Sequence, residues 1–109
     1  MRVAIYHRIA NKNETSEYEA QKIIDFLRII CNKQNFEIVM IECDYSSGLN
    51  YNREGLSKIK NAVKNNQIDA IISKDISKIG RDIRSNLEFI NFLQIYNVNL
   101  YFYEKINNS

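Results

Sequence analysis

Apolar residues in this chain follow two alternating patterns, short β-branched runs and longer stripes at helical spacing, separated by polar breaks. Residues 2–6 form an apolar run, Val3-Ala4-Ile5-Tyr6 after Arg2, that ends in charge. The polar stretch 11–15 follows, as expected of a buried strand feeding a loop. Ser16 reads as an N-cap, with Glu19 three residues on completing a capping-box pattern. A helix is predicted from there over residues 16–32, because Ile23, Ile24, Phe26, Leu27, Ile30 and Cys31 recur on one face. Residues 36–43 hold Ile38, Val39, Met40 and Ile41, the composition of a second strand covered on both faces, and Asp44 stands at its end.

Residues 45–52 have turn composition without periodicity, which predicts a surface loop. Helical spacing returns over 53–65 through Leu56, Ile59 and Val63, and Asn65-Asn66-Gln67 ends it before a strand at 69–73. Residues 77–82 are polar around Gly80. A helix is predicted over 83–96, apolar at Leu87, Ile90, Phe92, Leu93 and Tyr96, and a last strand over 98–103. Strands alternating with helices imply an open α/β sheet, mainly parallel, with right-handed crossovers.

Composition adds bounds rather than detail. With 109 residues the chain suits a single domain, 1–109, and 45% apolar with 26% charged residues is globular usage, far from disorder. A net charge of +2 is too mild to argue for nucleic acid by itself. Cys31 and Cys43 are too few for a disulfide framework and lack paired metal-ligand spacing, so reduced thiols in a cytoplasmic protein are expected. The apolar opening is far shorter than a signal peptide or membrane span. There is no internal repeat, low-complexity linker or proline.

Candidate chemistry sits at or just after predicted strand ends, in residues 8–10, 44–53 and 74–81. The carboxyl ends of parallel strands share one edge of an open sheet, where Arg8, Arg53, Lys78 and Arg81 would meet. Such cations suit a phosphodiester, since arginine's planar fork holds two phosphate oxygens and favours the added charge of a transition state. On spacing alone, ordinary loop arginines fit as well. His7 has no second histidine or carboxylate pair to form a metal site and reads as a partly exposed strand residue. Tyr45, Tyr51, Tyr96, Tyr101 and Tyr103 offer stacking surfaces, although packing accounts for them. An acidic phosphoacceptor pocket built on Asp44 and Asp75 would leave Arg8 and Arg81 without a role.

Several ordered blocks resemble the N-terminal catalytic domain of serine site-specific recombinases of the resolvase and invertase family. Tyr6-His7-Arg8-Ile9-Ala10 is similar to the family's opening of tyrosine, any residue, arginine, valine, serine. Ser16 with Gln21 is similar to the start of its first helix. Asp44, Ser47-Gly48 and Arg53 with Gly55-Leu56 resemble its second block, and residues 74–81, Lys74-Asp75-Ile76-Ser77-Lys78-Ile79-Gly80-Arg81, its third. The likeness covers essentially the whole chain. It implies a resolvase-like α/β domain of four to five strands with helices on both faces, acting without metal or nucleotide cofactor. In that family a serine hydroxyl attacks a DNA phosphate, giving a 5′-phosphoserine link and a free 3′-hydroxyl that later rejoin. By position, Arg8, Arg53 and Arg81 would clamp the scissile phosphate, supported by Gln21, Asp44 and Ser47.

Two departures fall on that machinery. Ala10 occupies the nucleophile's place and has no oxygen to attack with. Lys78 stands where the family usually has arginine, keeping charge but losing the planar fork, and removing one oriented donor typically costs on the order of 10²- to 10³-fold in rate. The resemblance therefore implies a strand-exchange domain, for DNA recombination or integration by a mobile element, that is inactive as written. The alternative is a non-catalytic interaction or regulatory module that pairs with itself or with an active recombinase. DNA is the implied partner, held weakly and without sequence preference, because no groove-reading module follows residues 104–109. A homodimer or higher oligomer is implied too, weakened because the family's long dimer helix would follow this point.

Overall fold

A computed structural model of the chain describes residues 1–10, 12–46 and 53–104. The elements run β1 (Arg2–Ile9), α1 (Glu14–Lys33), β2 (Glu37–Tyr45), α2 (Glu54–Lys64), β3 (Ala70–Ser73), a 3-10 turn (Ile76–Lys78), α3 (Ile83–Ile95) and β4 (Asn99–Phe102). Among the described residues the sheet has four strands in the order β2-β1-β3-β4, every neighbouring pair parallel. This is the open parallel α/β sheet that the sequence predicts.

Strand alternation sorts the core into two layers. Val3, Ile5, Ala70 and Ile72 face α1 through Leu27 and Cys31. Ala4, Tyr6 and Ile71 face the other way, against Leu56, Ile59 and Val63 of α2 and Phe89 and Leu93 of α3. Helices thus cover both faces. The chain steps from β1 to β2 on one side and returns past β1 to β3 on the other, so strand order reverses between β1 and β3. In open α/β sheets the crevice at such a reversal, beyond the carboxyl ends of the strands, is where ligands bind.

Among the described residues, all three α-helices stop the same way. Asn35, Asn66 and Asn97, each one residue past a helix cap, take the left-handed conformation with φ of 59°, 55° and 56°. The next amide, of Phe36, Gln67 and Val98, reaches back to the carbonyl of Cys31, Ala62 and Leu93 at 2.9 Å in each case. Asparagine is the side chain that best tolerates this conformation after glycine, and each stop turns the chain directly into the next strand. At the opposite edge Arg2 clamps β1 to the start of β3, with its Nη2 3.0 Å from Oδ1 of Asp69 and its backbone amide 2.7 Å from Oδ2.

Three expectations need correction. The N-cap of α1 is Asn13, not Ser16: Asn13 Oδ1 accepts from the Ser16 amide at 2.9 Å, and Ser16 Oγ accepts from the Asn13 amide at 3.0 Å. Asparagine caps as well as serine, and the earlier start brings Glu14 and Glu17 into the first turn, where the helix dipole favours them. Strand β2 is an edge strand, not one covered on both faces, and Val39 is 42% exposed. The register slips there, Val3 opposite Ile38 but Ala4 opposite Met40, so Val39 is the extra residue of a bulge. Strand β1 runs through Ile9 rather than ending at Tyr6, which changes the setting of His7. The loop predicted over 45–52 lies for residues 47–52 outside the described residues.

Candidate functional site: an arginine cluster at the sheet edge

Strand β1 and its edge neighbour β2 bring Arg8 opposite Asp44 in register. Asp44 is buried, yet its carboxylate is not paired with arginine. Its Oδ1 accepts from the Gly55 amide at 2.8 Å, and Oδ2 accepts from the Leu56 amide at 3.0 Å and the Tyr6 hydroxyl at 2.7 Å. The first amides of a helix have no partner within it, and Arg53 at the cap position of α2 offers no side-chain cap. Asp44 therefore caps α2 from a neighbouring strand and fixes where Arg53 stands. The fit is tight: a β-carbon on Gly55 would lie 2.8 Å from Asp44 Oδ1. Tyr6 has its phenol pKa pushed well up, by burial first and then by the bond to Asp44.

Arg8 and Arg53, each 3% exposed, enter from this scaffold. Arg8 donates Nη1 to the Ser46 carbonyl and Nη2 to the Ser77 carbonyl, both at 2.7 Å. Arg53 donates Nη2 to the Ile79 carbonyl and sets its guanidinium 5.8 Å from the centre of the Tyr6 ring. The two arginines thus tie the segment after β3 to the sheet edge. Burial pushes the Arg8 guanidinium pKa down, and repulsion from Arg53 and Arg81 adds to it, so the three cations share one neighbourhood. Lys78, on the 3-10 turn, is also pushed down by burial; Asp75 opposes this, while Lys74, Arg8 and Arg81 reinforce it.

Charge in this cluster is only partly offset, by Asp75 acting at a distance on Arg8 and Lys78. Among the described residues no carboxylate forms an ion pair with Arg8, Arg53 or Arg81. Among the described residues, Nε of Arg8, and Nε and Nη1 of Arg53, are buried without a hydrogen-bond partner. Buried cations in this condition are costly unless something anionic completes them.

Arg8, Arg53, Lys78 and Arg81 therefore gather at one edge, with Asp44 beneath them acting through Tyr6 and α2. Ala10 is exposed in the bend just beyond β1, two residues from Arg8. Gln21 is exposed on α1 and donates to Asp25 Oδ1 at 2.8 Å, one turn along its own helix, so the structure does not bring it to the arginines. Ser47 lies outside the described residues. Asp44 and Asp75 serve different partners, since Asp75 accepts from the Ser77 amide at 2.9 Å. His7 is buried, 2% exposed, where partial exposure was expected; burial first, then Lys78 and Lys74, pushes its pKa down to about 4. Tyr6 and Gly55 gained structural roles that spacing did not assign. The available signals were a tyrosine inside a buried strand, which needs a partner for its hydroxyl, and a glycine in a first helical turn.

Residues 3–109 match the family model described as Resolvase, N terminal domain. The chain belongs to this resolvase family. The resolvase fold is shared by solved structures of low sequence identity. The C-terminal catalytic domain of ISC1926 TnpA, an IS607-like serine recombinase, superposes with a TM-score of 0.88 at 19% identity, over 98% of this chain and 73% of that one. The N-terminal catalytic domain of TP901-1 integrase gives 0.80 at 18%, over 94% and 76%. A resolvase family site-specific recombinase from Streptococcus pneumoniae gives 0.80 at 16%, over 94% and 71%. Among the described residues of this resolvase domain, no helix is long and apolar enough to cross a membrane.

Proposed function

We propose that this domain engages a DNA phosphodiester through Arg8, Arg53 and Arg81 and is catalytically silent because Ala10 stands in the nucleophile's place. The observation that carries this reading is the group of guanidinium donors that, among the described residues, has no ion-paired carboxylate at the switch point of the sheet. A phosphate oxygen would complete the buried Nε and Nη1 donors, and arginine geometry suits it. A serine hydroxyl at position 10 would lie beside that phosphate; the alanine methyl supplies no lone pair and no proton to transfer. Lys78 retains charge toward the same phosphate but holds it as a point rather than a fork.

The test restores the missing chemistry. Ala10→Ser together with Lys78→Arg, in a chain fused to a DNA-binding domain, is expected to form covalent protein on nicked substrate DNA, with a free 3′-hydroxyl beside the adduct. Failure to form an adduct would favour the second reading, a non-catalytic partner of itself or of an active recombinase. A specific feature supports that alternative: α3 exposes Ile83 and Ile95 by 75% and 76%, with Leu87 at 55%. Concentration-dependent sedimentation that is lost in Ile95→Lys would support it.

A further inference from the structure

The end of β1 has two faces. Tyr6 and Arg8 point to the arginine cluster, whereas His7 and Ile9 point to α1 and line a cleft of about 410 Å³ between the sheet edge and the first turns of that helix. Lys22, Lys74 and Lys78 line it as well, and Glu19 is the carboxylate in its lining. His7 is almost wholly buried, and among the described residues its Nδ1 has no hydrogen-bond partner. A buried polar nitrogen left unpaired is a cost in the free protein, and a small shift of the ring that opens it to an incoming oxygen removes that cost.

The cleft's charge decides what kind of oxygen. Ammonium groups are compact point charges on flexible stems, suited to the several oxygens of a tetrahedral anion; a planar carboxylate is matched better by the arginine fork. Lys22 already leans on the Tyr18 ring at 4.6 Å, whereas Lys78 and Lys74 are the lysines whose charge acts on His7. We infer that this cleft is a second oxyanion site, on the opposite face of β1 from the arginine cluster. It takes a phosphate group through His7 Nδ1 and the Lys74 ammonium, with Lys78, which also neighbours Arg8 and Arg81, shared between the two sites. The phosphate comes from the free anion or from a nucleic-acid backbone; only the second source rests on the DNA reading above.

The test uses the whole chain with ¹⁵N-labelled histidine, titrated with inorganic phosphate at pH 7 and constant ionic strength. His7 ring resonances are expected to move saturably. Binding should weaken about tenfold in Lys74→Gln, which removes one charged partner, and persist in Arg53→Gln. No saturable movement, equal binding by Lys74→Gln and the unaltered chain, or a response lost in Arg53→Gln alone would overturn the site. A short DNA duplex in a second titration separates the sources. Movement at lower phosphate concentration than the free ion assigns the backbone. Movement with inorganic phosphate alone assigns the free anion, upholds this cleft and counts separately against DNA engagement.

Discussion

The Tyr6 hydroxyl donates to Oδ2 of Asp44 at 2.7 Å inside the core, and the same carboxylate holds the second and third amides of α2, those of Gly55 and Leu56. One acidic side chain thus joins β1, β2 and α2 just beneath Arg8 and Arg53. The site's cations stand where they do because an anion below them is already fully engaged.

Removing the hydroxyl tests that linkage. Tyr6→Phe keeps the ring against Arg53 and leaves Asp44 one donor short, so it should lower unfolding stability by about 1.5 to 3 kcal/mol, the range for a hydrogen bond to a charged group. Asp44→Ala should lose more, since it also strips the cap from α2, which is worth about 1 kcal/mol again. Urea denaturation followed by circular dichroism measures both. Equal stability of Tyr6→Phe and the unaltered chain would mean the bond is not formed.

Gly55→Ala should destabilise although alanine is the better helix former. The intrinsic gain of about 1 kcal/mol is outweighed by a β-carbon 2.8 Å from Oδ1 and 3.1 Å from Oδ2 of a carboxylate that three donors hold in place. A net loss of about 1 to 3 kcal/mol is expected from overpacking. A higher melting temperature for Gly55→Ala would show that Asp44 can retreat.

His7 should make the fold acid-sensitive in a defined window. Its pKa is about 4 folded against an ordinary 6.5, so between these values the unfolded chain binds the extra proton. Its stabilising contribution is complete above about pH 6.5 and is lost as pH falls toward 4, on the order of 1 to 3 kcal/mol. His7→Gln, neutral throughout, should flatten the stability profile over that range. Asp69 is held down to about 2 by its hydrogen bonds with Arg2, against an ordinary 3.8, so its contribution is lost only below about pH 3.8 and falls outside the His7 window. An unchanged slope in His7→Gln between pH 6.5 and 4 would contradict the assignment.

Much of the molecule was determined by local pattern. Alternating β-branched runs and helical stripes specify strand and helix order, and asparagines at three helix ends specify the stops, because both signals act over a few residues. The motif blocks likewise singled out Arg8, Arg53, Lys78 and Arg81 and raised the expectation that Ala10 stands where the family carries its serine. Tertiary structure alone decided what those groups touch. That Asp44 caps a helix instead of pairing with arginine depends on α2 beginning above the end of β2. Which face of β1 a residue takes separates Arg8 from its neighbour His7, so one joins a cluster of cations and the other floors a different cleft. Partners and burial of this kind come from elements far apart in sequence meeting at one edge, and no local spacing encodes that meeting.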